Sequence, residues 1–239
     1  LSKYYSPNFN IQKRSKNKIK FIILHYTGMK KESSALKRLC DAESKVSAHY
    51  FIKKNGDLIN LVPDLYEAWH AGKSSWKKIR FLNKYSIGIE IHNQGHNFKY
   101  EKFSFKQVIT IKKLLKKLLK KFDIKLNNVL GHSDIAPERK KDPGEKFPWK
   151  ELAKSKLAKW HKLNENKIKK FRFKILNKAQ ENEFLKNLYF LGYRKNKKIN
   201  SSLNKKNIIT AFQRRFRQSL INGKSDYECF MVSKNLLKS

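Results

Sequence analysis

The sequence predicts an α/β fold, a mixed central β-sheet flanked by helices, followed by a small C-terminal three-helix module. Three observations carry this reading. Short apolar runs of strand composition alternate with amphipathic helical stretches. One pair of runs flanks Asn55-Gly56, a hairpin pair, so part of the sheet is antiparallel. Past a stretch of weak periodicity that begins near Trp160, only helical patterns remain.

In chain order, "KIKFIILHYTG" reads as a central strand, because residues 21–24 form a continuous apolar run that stops at His25 and the turn-forming Gly28. Residues 31–39 suit a helix. "SAHYFIKKNGDLINLVP" is a hairpin with Asn55-Gly56 as a two-residue turn at positive φ. "SIGIEIH" follows as another strand. Ser104 and Gln107 have the spacing of a capping box and open the helix "FKQVITIKKLLKKLLKKF", whose stripe is Val108, Ile111, Leu115, Leu118 and Phe122. The same "LLKKLLKK" pattern also suits a basic helix on a membrane surface, but a helix between two strand patterns is expected to bury its stripe on the sheet. "NNVLGH" makes a short strand ending at His132. Residues 1–160 thus form one α/β domain and residues 161–174 a linker. Residues 175–239 hold three helical patterns separated by Gly192 and Gly223.

Composition narrows the classes. A chain of 239 residues with 39% hydrophobic content can bury a full core, which excludes a disordered tail. No apolar run reaches the roughly 18 residues of a membrane span, and "LSKYYSPNFN" lacks the charged and apolar regions of a signal peptide. The first residue is Leu, so an export segment removed upstream is compatible with it. The balance of 56 Lys+Arg against 19 Asp+Glu gives a net charge of +37, which attracts polyanions in general. Only nine of the basic residues are Arg, the residue that reads phosphates and guanines by a fork, so most of the charge reads as solvated lysine and no specific nucleic acid is expected. Cys40 and Cys229 lie far apart and form no metal-like pair; they are expected as two buried thiols.

The chemistry concentrates at "GHSDIAPERKKDPG". Catalytic zinc takes three protein ligands, His nitrogen and carboxylate oxygen among them, and keeps a fourth position open. His25 and His132 each end an apolar run, so two neighbouring strands could present both imidazoles at one rim, and Asp142 could add the oxygen. Pro137 and Pro143-Gly144 restrict the path of the loop back toward His132. Lys140 stands two residues before Asp142, on the same side of an extended segment, where an ammonium suits a developing oxyanion. In "SIGIEIH" the isoleucines alternate onto one face, which puts Glu90 with Gly88 on the other. A lone carboxylate there is costly unless employed, and beside a metal-activated water it could act as general base. His49, His70, His92, His96 and His161 are read as packed or solvated.

Five segments in order, "FIILHYT", "VSAHYFIKKNGDLINLVP", "AWHAGKSSW", "NKYSIGIEI" and "GHSDIAPERKKDPG", resemble the zinc N-acetylmuramoyl-L-alanine amidases, which share a fold with peptidoglycan recognition proteins and phage amidase lysozymes. The resemblance implies the N-acetylmuramoyl-L-alanine amidase fold, one Zn²⁺ per chain held by His25, His132 and Asp142, Glu90 as the catalytic carboxylate and Lys140 at the oxyanion. It implies hydrolysis of the bond between N-acetylmuramic acid and L-alanine in peptidoglycan or muropeptides. In some phage members a tyrosine precedes the histidine of the "AHYF"-like segment; that position here is Ala48, which leaves proton transfer to Glu90. Trp69 and Asn83 are assigned to the substrate groove, with core packing as the alternative for Trp69. The segment "ITAFQRRFRQSLINGKSDYECFMVSKNLL" is similar to the last two helices of a peptidoglycan-binding module, a combination found in AmiD-type amidases of Gram-negative envelopes; a plain helical docking domain is the alternative. A periplasmic or secreted monomer acting on the cell wall is expected. Two other classes compete: a non-catalytic wall-binding protein on the same fold, and a basic nucleic-acid-binding protein.

Overall fold

The computed structural model describes residues 4–194 and 201–238; the first three residues of "LSKYYSPNFN" and, in the C-terminal module, residues 195–200 and 239 lie outside them. Among the described residues the strands in chain order are β1 (Phe9–Asn10), β2 (Phe21–Tyr26), β3 (Tyr50–Ile52), β4 (Leu58–Asn60), β5 (Glu67–Ala68), β6 (Ser75–Trp76), β7 (Ile79–Arg80), β8 (Ser86–Ile91) and β9 (Val129–Gly131). The central sheet has the order β4-β3-β8-β2-β9. Only the β3–β4 pairing is antiparallel; β3, β8, β2 and β9 run parallel, so the sheet is mixed as expected. Two short ribbons, β1 with β5 and β6 with β7, lie outside it.

The helices are α1 (Glu32–Cys40), α2 (Phe105–Phe122), α3 (His132–Ile135), α4 (Trp149–Lys154), α5 (Glu165–Lys169), α6 (Lys178–Leu191), α7 (Ser201–Phe216) and α8 (Tyr227–Lys238). The capping box of α2 is formed: the Ser104 hydroxyl accepts from the Gln107 N–H and the Gln107 side chain accepts from the Ser104 N–H. Its apolar stripe, joined by Leu114, packs in one cluster with Ile22, Leu24, Ile87, Ile89, Ile91 and Val129. That burial excludes the membrane-surface reading. Each such aliphatic side chain removed from water contributes roughly 1.5–3 kcal/mol. Lys113, Lys116, Lys117 and Lys120 occupy the exposed face of the helix.

The alternate residues of the same strands face the other way. Phe21, Ile23 and Leu130 pack in a second cluster with Phe184, Leu188, Ile208 and Phe212 of α6 and α7, while Phe51 packs with Ala35, Leu36 and Leu39 of α1. The sheet is therefore covered on both faces, and the second face is shared between α1 over β3 and the C-terminal helices over β2 and β9. The boundaries at 160 and 174 follow the sequence pattern, whereas the packing is continuous across them. The expected linker contains α5, whose Ile168 is buried, and Arg172 pairs with Glu228 of α8 at 2.6 Å. The weak periodicity there reflects a one-turn helix that contributes a single core side chain.

Four local expectations are corrected. The hairpin loop is longer than two residues: the Gly56 N–H donates to Lys53 O, the Lys53 N–H to Asp57 O, and Gly56 alone takes a positive φ, at 90°. Asn55-Gly56 serves a turn over residues 53–56 closed by a left-handed glycine, a geometry that the pair accommodates equally well. The strand of His25 runs one residue beyond it, to Tyr26, and His132 opens the short helix α3 instead of a loop. Cys40 is half-buried, and only Cys229 is fully enclosed; neither is in a disulfide.

Candidate metal and active site

Three adjacent parallel strands, β8, β2 and β9, end on the same side of the sheet, and ligands bind at the carboxyl ends of such strands. Their ends carry Glu90, His25 and, one residue past β9, His132. The register sets His25 beside Glu90. Period-two alternation puts both side chains on the face opposite the α2 core, as the isoleucine pattern predicts.

The loop after α3 brings Asp142 back. His25 Nδ1 lies 2.9 Å from His132 Nδ1 and 3.0 Å from Asp142 Oδ2, and His132 Nδ1 lies 3.0 Å from the same oxygen. All three residues are buried. The hydrogen bonds behind the two rings orient them. Ser86 Oγ donates its one proton to Leu82 O at 2.6 Å, so it accepts from His70 Nε2 at 3.1 Å. His70 Nδ1 then bears a lone pair and accepts from His25 Nε2 at 3.0 Å, which leaves His25 Nδ1 unprotonated. On the other ring, His132 Nε2 donates to Ala71 O at 3.2 Å, which turns its Nδ1 toward His25 and Asp142. Two imidazole nitrogens and a carboxylate oxygen thus converge within 3.0 Å of one another. Tetrahedral zinc with bonds near 2.0–2.1 Å needs donor atoms roughly 3.3 Å apart, so the set fits such a cation within a few tenths of an ångström.

Electrostatics agree. Burial, then repulsion from His132, pushes His25 down to about 4, so it is neutral at pH 7. Burial opposes the charge of Asp142, but the His132 and His25 imidazoles outweigh it and hold the carboxyl well below its ordinary range. Burial pushes Glu90 up to about 8, with the Asp142 charge adding and the Lys140 ammonium opposing. Glu90 Oε2 is enclosed without a hydrogen-bond partner. A buried carboxylate oxygen in that condition is a candidate for a functional role.

Glu90, His132, Lys140, Asp142 and Trp69 line one cavity of about 450 Å³. Lys140 makes no ion pair among the described residues, which leaves its ammonium available there. Trp69 is half-buried at the cavity, its indole N–H donating to Asn10 Oδ1 at 3.0 Å. Asn83 is not brought to the groove: its Oδ1 accepts from the His70 and Ala71 N–H groups at 3.2 and 2.7 Å. It holds the backbone whose carbonyl orients His132.

Sequence reasoning missed three participants. His70, read as packed, is the residue that fixes the tautomer of His25. Arg139, given no role in "GHSDIAPERKKDPG", donates to the carbonyls of Ala71 and Lys73. Asp134, in the same segment and also without a role, is 1% exposed and fully hydrogen-bonded. The available signal for His70 was Gly88, since a glycine two residues from a strand carboxylate, on the same face, leaves room for a ring. His49, His92, His96 and His161 stay outside the donor set.

Fold and site define a class first: an α/β protein with a three-donor centre of metal type beside an unpartnered carboxylate, the layout of a metal-assisted hydrolase. Residues 15–145 match the family model described as Amidase_2, N-acetylmuramoyl-L-alanine amidase. The chain is 34% identical over 238 residues to the N-acetylmuramoyl-L-alanine amidase AmiD of Escherichia coli, covering 92% of this chain and 83% of that protein. The structure of that amidase in complex with the substrate anhydro-N-acetylmuramic acid-L-Ala-D-γ-Glu-L-Lys superposes with a TM-score of 0.80, over 92% of this chain and 89% of the other at 32% identity. AmpDh3 of Pseudomonas aeruginosa, in complex with an anhydromuramic pentapeptide, gives 0.80 over 97% of this chain and 96% of the other at 29% identity. The chain belongs to the N-acetylmuramoyl-L-alanine amidase family of hydrolases.

Proposed function

We propose that the chain hydrolyses the amide between the lactyl group of N-acetylmuramic acid and L-alanine in peptidoglycan and its soluble muropeptides, using one zinc ion held by His25, His132 and Asp142. The observation that carries this is the convergence of His25 Nδ1, His132 Nδ1 and Asp142 Oδ2 within 3.0 Å of one another, on the strand ends beside Glu90. Zinc in such a centre supplies Lewis acidity and makes hydroxide available near pH 7. Glu90 takes the proton of the attacking water through its carboxylate and returns it to the departing amine of L-alanine. The Lys140 ammonium, in the same cavity, stabilises negative charge as it grows on the scissile carbonyl oxygen. Trp69 offers an apolar face in the groove for a sugar or a stem peptide. Similarity to AmiD supports a place in the cell envelope, and similarity over 92% and 97% of the chain to amidases solved with muropeptides supports the substrate class.

The test is a digest of purified sacculi and of soluble muropeptides with zinc-loaded and chelator-treated protein, read by mass. New L-alanine amino termini that appear only with zinc are expected. Cleavage between sugars, or equal cleavage after chelation, would overturn the reading.

A further inference from the structure

Asp134 lies two residues past His132 and receives three donors. Its Oδ2 accepts from the Gly131 N–H at 2.8 Å and from Arg215 Nη1 at 2.7 Å, and its Oδ1 accepts the Tyr193 hydroxyl at 2.7 Å. Both side-chain donors come from the C-terminal helices: Arg215 is in α7 and Tyr193 follows α6. Arg215 and Asp134 are buried as an ion pair at 3% and 1% exposure. The other terminal nitrogen of Arg215 donates to Val129 O at 2.9 Å, and its guanidinium lies 4.5 Å from the Trp149 ring centroid. One arginine therefore grips the strand that presents His132 at both ends, at Val129 directly and past Gly131 through Asp134.

The backbone on each side of His132 is also fixed. The Gly131 N–H is held by Asp134, and the Ser133 N–H donates to Asp142 O at 2.8 Å. The first contact leads to the C-terminal helices and the second to the residue that supplies the carboxylate. A carboxylate enclosed this way keeps its place only while its charge and lone pairs are matched. Loss of either outside donor frees the hook that sets the entry angle of His132.

We propose that Arg215 and Tyr193 are positioning residues for the metal centre, acting through Asp134 on the orientation of His132. The C-terminal helices are then part of the scaffold of the catalytic centre, beyond any role in binding cell wall. The inference rests on the assignment of His25, His132 and Asp142 as zinc ligands.

The test compares the full chain with Tyr193→Phe, Arg215→Lys and, as a control, Phe184→Leu, an apolar change in the same core. Each is titrated with zinc against a competing chelator, loaded with Co²⁺ for its ligand-field spectrum, assayed on a soluble muropeptide at saturating zinc, and melted. Tyr193→Phe and Arg215→Lys should lose roughly ten-fold or more in zinc affinity and show an altered cobalt spectrum, as outer partners of metal ligands do. Their kcat should fall while KM stays within about two-fold. Phe184→Leu should melt lower and keep wild-type affinity and spectrum. The proposal fails if the two variants melt lower with unchanged affinity and spectrum, or if Phe184→Leu loses as much affinity as they do. Should Arg215→Lys fail to fold, Tyr193→Phe decides, because it deletes one hydroxyl and leaves the ion pair. A wild-type chain that binds no zinc at one to one would overturn the ligand assignment itself, and this proposal with it.

Discussion

Gly88 leaves the space that the His70 ring fills: a β carbon at position 88 would stand 2.3 Å from His70 Cγ. The ring lies over the strand that carries Glu90 and accepts the His25 Nε2 proton, so one missing methyl group decides which nitrogen of His25 faces His132 and Asp142. Gly88→Ala should therefore push His70 off His25 and lower zinc affinity roughly 10- to 100-fold, the range for partners that orient metal ligands. Chelator competition checks it; unchanged affinity would mean that His70 does not govern the tautomer of His25.

Much of the site was readable because its signals are local. The isoleucine alternation of β8 put Glu90 on the face away from the α2 core, and the apolar runs before His25 and His132 marked both as strand-end residues. Neither signal contains register, so the pairing of His25 with Glu90 needed the structure. The supporting residues were hidden for the same reason. Asp134 meets Arg215 across 81 positions, and no periodicity connects them. Read alone, Asp134 is one more charge in a polar loop. Asn55-Gly56 shows the opposite limit: a correct turn signal can be compatible with two loop lengths.

The cap of α2 ties the helix to the hairpin that flanks the sheet. Ser104 Oγ accepts from the Gln107 N–H at 3.2 Å and donates to Lys54 O at 2.8 Å. Ser104→Ala should cost about 1 kcal/mol from loss of the cap, measured by urea denaturation. Because α2 packs on the face opposite Glu90, amide cleavage at saturating zinc should be unchanged.

Zinc should stabilise the fold as well as serve the reaction. Three donor atoms face one another in the buried centre, and a cation bound to the folded chain alone raises stability by mass action. At a free concentration near 100 times Kd the gain is about 2.7 kcal/mol, seen as a rise in the melting temperature over the chelated protein. His132→Ala should abolish most of that rise. A melting curve that ignores zinc in the wild-type chain would argue against the centre.

Glu90 separates binding from chemistry most cleanly. Its Oε2 is enclosed and without a partner, it stands beside His25 in register, and it is outside the set of three donors. Glu90→Gln keeps the shape of the side chain and removes its ability to take a proton. Zinc affinity should stay within a few-fold of wild type, while kcat on a soluble muropeptide should fall about 10²- to 10⁴-fold, the usual contribution of a positioned general base. Parallel chelator competition and turnover measurements on one preparation read both quantities. If activity falls only as far as zinc is lost, Glu90 supports the metal instead of moving the proton. If turnover survives at full zinc occupancy, proton transfer belongs to another group.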